Sequence, residues 1–341
     1  FILGQMTFTI ISGGFWGDEG KGKICSYLAI KDDPSIIARA GTGPNAGHTI
    51  QHNGIEYKLR MVPSGFVNTK AKLLIGAGVL VNPNVLLQEI KNTKTEDRLK
   101  VDFQSGIIER KHIEMDTKDK HLSGKIGTTG SGCGPANMDR AMRILKLARD
   151  IPELKKYLTD VSLEMNEALE SGETIIAEGS QAAFLSLYHG SYPYVTSHDT
   201  CSAGICSDLG VGPTKVDEVL VVMKAFITRV GEGELPGELS LEEMEKRGWV
   251  EYGAVTGRPR RAAPFNFELA KKSVRLNGAT QIALTKFDIV FPELKGATSI
   301  DQIKGKAQEF IDKVEKETRV KVSLIGTGPS SEHIIDLREN I

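Results

Sequence analysis

The sequence predicts an α/β protein: a single large domain built on a mostly parallel central β-sheet flanked by helices. Three observations predict it. Short apolar, β-rich runs at residues 7–11, 72–75, 174–177, 218–222, 281–284 and 320–324 read as buried strands. Helical patterns lie among them, at residues 139–148, 154–169, 267–276 and 299–316. Polar glycine motifs follow several strands, at the carboxyl ends where such a sheet gathers ligands. No internal repeat and no proline- or serine-rich linker divides the chain. Residues 91–120, rich in lysine and acid, show no pattern that assigns them to an element.

Bulk composition narrows the function. Apolar residues make up 40% of 341, enough for a large core. The 43 basic and 44 acidic side chains nearly cancel, so nothing in the bulk charge attracts nucleic acid, and any phosphate site must be local. Cys25, Cys133, Cys201 and Cys206 form no C-x-x-C pair and read as reduced thiols of a cytoplasmic protein. No apolar run approaches the roughly 18 residues that span a membrane. Residues 1–5 lack the basic start of a signal peptide and read as a non-native extension ahead of a domain over 6–341.

The first strand leads into Gly17, Asp18, Glu19, Gly20, Lys21, Gly22 and Lys23, and Ile24, Tyr27 and Leu28 then recur at helix spacing. A glycine turn between strand and helix points backbone N–H groups and the positive helix end into one small space, which suits phosphate. The run fits G-x-x-x-x-G-K, with Ile24 where Ser or Thr would follow, so the fold reads as P-loop-NTPase-like. Two acids inside such a loop repel phosphate unless a metal intervenes or the acid reacts.

Further motifs follow in order. Asn45, Gly47, His48 and Thr49 bring an amide, an imidazole and a hydroxyl together between glycines, and His48 can donate to charge developing on an oxygen. The run 127–135 holds Thr128 and Thr129 among glycines, a second phosphate-like loop, with Arg140 and Arg143 beyond it. Gln181, after Glu178, can read a base edge, and Tyr192 to Ser197 lie close behind. Thr256, Arg258, Arg260 and Arg261 place fork-shaped donors where a carboxylate would bind. Lys286 and Asp288 follow an apolar run. A carboxylate there accepts two hydrogen bonds from guanine and leaves adenine unpaired. Gly326 and Gly328 form a tight turn after the last strand.

Together these residues resemble the adenylosuccinate synthetase family, GTP-dependent ligases that join IMP and L-aspartate. Residues 17–23, 45–49, 127–135, 192–196, 256–261 and 285–288 match the family's motifs in its order, in the manner of its compact branch. The resemblance implies catalytic roles for Asp18, as the base that deprotonates IMP, and for His48 and Lys21 at the transferring phosphate. It implies IMP contacts from Asp18, Asn45, Thr129, Arg143, Gln181, Thr196 and Arg258. It implies GTP contacts from Gly17, Glu19, Gly20, Lys21, Gly22, Lys23, Gly47, His48, Thr49, Lys286, Asp288, Gly326 and Gly328. Aspartate would meet Val255, Thr256, Arg258 and Arg260. Mg²⁺ would sit on Asp18 and the Gly47 carbonyl, and Arg143 would cross into a second subunit of a homodimer.

The sequence departs from the family's pattern at Val255, Ser331 and Leu147, and at Ser180 and Ala182 beside Gln181, without removing a proposed catalytic group. The alternative expectation is a binding protein for guanine nucleotide and IMP that has lost catalysis.

Overall fold

A computed structural model describes residues 7–253, 257 and 259–340. Ten strands form the main sheet: β1 (Phe8–Gly13), β2 (Ile36–Arg39), β3 (Lys72–Ile75), β4 (Leu99–Asp102), β5 (Leu158–Thr159), β6 (Ile175–Glu178), β7 (Glu218–Lys224), β8 (Gln281–Thr285), β9 (Lys321–Gly326) and β10 (Ile334–Asp336). Their spatial order is β10-β9-β8-β7-β1-β6-β2-β3-β4-β5, and every pairing is parallel except β9 with β10. The chain leaves β1 for β2 and returns to fill the gap with β6 much later. Such a reversal opens a crevice at the carboxyl ends of the strands.

The strands are continuous apolar runs because helices cover both faces. Successive residues alternate between two cores: Ile10, Ala38, Ile175 and Val221 pack on one side, and Ile11, Ile37, Ile176 and Val222 on the other. Ile10, Ile11, Ile37 and Val222 are fully buried.

All six predicted strands occur. The predicted helix over 267–276 occurs as Phe267–Asn277, and the other three needed correction. The expected helix over 139–148 begins earlier, at Cys133 after Gly132, and ends at Ala141, because Arg143 turns into left-handed backbone at φ 62°. The stretch 154–169 divides at Asp160, whose carboxylate accepts from the Leu163 N–H and caps a helix over Val161–Glu170, while Leu158–Thr159 joins the sheet. The last predicted helix starts at Lys306, since Gly305 (φ 55°, ψ −127°) cannot continue residues 300–302 into it. Residues 91–120 contain the end of a helix over Pro83–Thr93, β4, and a helix over Arg110–Lys118.

Candidate active site

Because the inner strands run parallel, one edge of the sheet collects the loops after β1, β2, β6, β8 and β9. They line a single cleft of about 1390 Å³. Gly17, Asp18, Glu19, Gly20, Lys21, Gly22, Lys23, Asn45, Gly47, His48, Thr49, Thr129, Gln181, Thr196, Arg260, Lys286, Asp288 and Gly328 all face it. Arg143 and Gly326 do not: Arg143 is exposed on the outer surface, and Gly326 ends β9. Val255, Thr256 and Arg258 lie outside the described residues.

The phosphate loop is shaped from inside. Gly20 precedes the helix Lys21–Lys31 with φ 87°, a conformation natural only to glycine. Glu19, although expected to touch nucleotide, turns inward. Its carboxylate accepts from the Phe15 and Gly17 N–H groups at 3.0 and 2.8 Å and pairs with Lys21 at 3.1 Å. The Thr285 hydroxyl donates to the Glu19 carbonyl at 2.6 Å, tying the loop to the end of β8. Lys23 donates to the carbonyls of Gly328 (2.5 Å) and His333 (2.8 Å), which binds the helix to the turn after β9. Burial pushes the Lys23 ammonium down to about 7, with Asp288 opposing the shift.

Asp18 takes the other direction. Held in left-handed backbone at φ 60°, it presents its carboxylate to the cleft, 3.0 Å from the Arg260 guanidinium.

The residues expected at IMP come together from distant parts of the chain. Gln181 Nε2 donates to Asn45 Oδ1 at 2.8 Å, and Asn45 Nδ2 donates to Thr196 Oγ1 at 3.1 Å. Thr42, which sequence reasoning missed, shares the Thr196 hydroxyl at 3.1 Å. Gly41 allows this loop to close on the next, because a Cβ there would stand 2.5 Å from the Ser180 Cβ. Thr129 bonds Ser131 at 2.8 Å on the opposite wall.

His48 is buried against two charges that the sequence reading did not assign. Arg39 and Glu178 end β2 and β6 in register and pair at 3.1 Å. His48 Nδ1 lies 2.5 Å from Glu178 Oε1 and 2.6 Å from Arg39 Nη1. Burial first, then Arg39, lowers the imidazole to about 4 although Glu178 pulls the other way, so it is neutral at pH 7. Burial alone would raise the Glu178 carboxyl; His48, Arg39 and Ser64 outweigh it, and the group is held below the ordinary carboxylate range. We take Glu178 as the charged member, because Arg39 and the Ser64 N–H hold it even beside a neutral ring.

At the far end, Asp288 Oδ1 is buried and has no hydrogen-bond partner among the described residues. Lys286, also left-handed at φ 55°, reaches Glu251 at 3.2 Å. Arg229, buried and overlooked from sequence, stacks between Trp16 and Tyr194 at 5.1 and 6.0 Å on the cleft wall, and burial lowers it to about 10. One signal links the missed residues Arg39, Glu178 and Lys224. Each is a charged side chain that ends an apolar strand, and each is fully or almost fully buried.

A parallel sheet that delivers a glycine loop, a carboxylate at the end of a strand and a buried imidazole to one cleft defines a nucleotide-binding α/β enzyme. Comparison with known proteins narrows the class. The family model described as adenylosuccinate synthetase matches residues 10–151 and 144–295. The chain is 58% identical to an adenylosuccinate synthetase of Methanocaldococcus jannaschii, over 98% of each chain. It is 57% identical to that of Archaeoglobus fulgidus, over 98% and 99%. Its fold superposes on the fully ligated adenylosuccinate synthetase of Plasmodium falciparum with a TM-score of 0.89 and 26% identity, covering 96% of this chain and 99% of the other. A cyanophage S-2L succinoaminodeoxyadenylate synthetase bound to dGMP and dATP gives 0.79 and 25%, over 97% and 95%. The chain belongs to the adenylosuccinate synthetase family.

Proposed function

We propose that the chain ligates IMP and L-aspartate to adenylosuccinate, converting GTP to GDP and phosphate, in cytoplasmic purine synthesis. One observation carries the reading. Asp18, the expected base, stands 3.0 Å from Arg260, the expected holder of the amino acid. The purine and its incoming amine therefore have adjoining seats.

In this reading Asp18 takes the N1 proton of IMP. The O6 oxyanion attacks the γ-phosphorus, the bond to the bridging oxygen breaks, and GDP leaves with that electron pair. The Gln181–Asn45–Thr196 chain holds the purine, with Thr129 facing it. The aspartate amine, having shed its ammonium proton, attacks C6 of 6-phosphoryl-IMP. The C6–O6 bond breaks, phosphate departs, and the second amine proton passes to solvent.

His48 is neutral without ligand, and negative phosphate beside it favours the imidazolium. Glu178 then fixes Nδ1–H and leaves Nε2–H for the phosphoryl oxygens. Lys21 adds positive charge at the same place. Asp288 accepts from guanine through its unpartnered oxygen, and Gly17, Gly20, Gly22, Thr49 and Gly328 complete the nucleotide wall.

Asp18 and the Gly47 carbonyl would hold Mg²⁺. The residues fit that ion: Asp18 and Gly47 line the same cleft, and both donors are hard oxygens. Mg²⁺ commonly binds through one or two protein oxygens plus phosphates. It would supply neutralisation of phosphate charge. Thr256, Arg258 and the Val255 backbone would complete the amino-acid seat beside Arg260.

The test is direct. Protein mixed with IMP, GTP, Mg²⁺ and L-aspartate should show the ultraviolet change of adenylosuccinate formation, dependent on all four. No change with folded protein would point instead to a binding protein without catalysis.

A further inference from the structure

Glu251 has no role in the chemistry above, yet it is the most heavily shared carboxylate of the cleft. It follows the helix Leu241–Arg247 by a few residues, and Trp249 anchors that segment by stacking on Phe226 at 4.5 Å and 11°. The Glu251 carbonyl accepts from the Arg260 N–H at 2.9 Å, and Tyr252 bridges Pro259 antiparallel, so Glu251 and Arg260 close the base of one loop.

The side chain does more. Oε2 meets Lys224 Nζ at 2.6 Å and also contacts Arg260 Nη1 closely, while Oε1 meets Lys286 Nζ at 3.2 Å. Lys224, fixed at the end of β7 and bonded to Thr228 at 2.6 Å, is almost wholly buried and cannot follow a ligand. Lys286 and Arg260 face the cleft. Arg260 divides its fork, Nε toward Asp18 and Nη1 toward Glu251. Three cations thus share two carboxylates.

We propose that Glu251 is a positioning residue that couples the two ends of the cleft, resting on the functional reading above. One oxygen holds the guanidinium that receives the amino-acid carboxylate, and the other holds the ammonium beside the guanine-reading carboxylate. A ligand that draws Lys286 away leaves Glu251 to pull harder on Arg260. A ligand that draws Arg260 away frees Glu251 for Lys286. The rigid Lys224 contact makes this an exchange between two partners rather than a drift of the whole loop.

A double-mutant cycle in steady-state kinetics tests it. Glu251→Gln should raise the KM for L-aspartate and for GTP, each by about tenfold, a change of about 1.4 kcal/mol, with the KM for IMP nearly unmoved. Lys286→Ala, which leaves Glu251 to grip Arg260 alone, should lower the aspartate KM in the wild-type background and leave it unchanged in the Glu251→Gln background. Glu251→Asp, which keeps the charge but shortens the reach, should give an intermediate aspartate KM. It also serves as the test variant if the glutamine protein does not fold. A merely structural role would lower the melting temperature and disturb all three substrates alike; that outcome overturns the assignment. So do effects of the two substitutions on the aspartate KM that simply multiply. In both cases the wild type is active. A wild type that makes no adenylosuccinate overturns the functional reading and this inference with it.

Discussion

Asp18 sits in backbone that a side chain enters at a cost, and it is not alone. Among the described residues eight non-glycine positions have positive φ, and four of them are Asp18, Arg143, Gln181 and Lys286, all expected site residues. Strain of this kind persists where the surroundings fix it, and it gathers at working sites. For Asp18 the gain is direction, since the neighbouring Glu19 points into the loop while Asp18 points out. Asp18→Asn keeps the shape and removes the base. It should lower kcat by about 10²- to 10⁴-fold with nucleotide binding retained. Turnover in single-turnover mixing and GDP titration check the two halves; near-normal kcat would refute the base. At this scale the polar residues set inside glycine motifs, such as Asn45 and Gln181, do reach one cleft, as does Asp288 after its apolar run. Arg39, Glu178 and Lys224 escaped because a charge after an apolar run resembles a solvated strand end. Only the parallel register shows that Glu178 faces Arg39 and that both enclose His48.

Lys23 shows what a single element gains from its first turn. It lies on the helix after the phosphate loop, expected to meet nucleotide, and instead ties that helix to the carbonyls of Gly328 and His333. Its burial has a measurable sign. The folded ammonium titrates about 7, lowered from 10.5, so between those values the unfolded chain binds the extra proton. Stability from this group therefore rises as pH increases through that window and is least below it. Unfolding in denaturant at several pH values, without ligand, should give a wild-type minus Lys23→Met difference that grows with a slope of up to about 1.4 kcal/mol per pH unit. A flat difference would contradict the buried ammonium. Strands were legible because their apolar runs are short and bounded. Helix ends were not, because Asp160 and Gly305 divide patterns that look continuous on apolar spacing alone.

Across the whole molecule, the reversal in strand order gathers five loops on one edge, and that convergence was legible from the placement of motifs after strands. The β2 and β4 strands, and the two-sided core they support, were not, since a four-residue apolar run says little without its neighbours. Arg143 stands apart from the cleft that gathers the other expected residues. It points away from the cleft, flanked by exposed Met142 and Ile144. If a partner copy receives it, Arg143→Ala should raise the KM for IMP by about tenfold. Mixed with Asp18→Asn and assayed with IMP well below its KM, it should recover about a quarter of wild-type activity through hybrid dimers. No recovery on mixing would place Arg143 outside a shared site.

The rims of the main sheet bear on how such a pair assembles. One rim is the two-residue β5 and the other is the antiparallel, three-residue β10. Strands so short offer few unpaired amides for another chain to adopt. The main sheet is thereby a poor template for a second copy to extend edge to edge into a fibre.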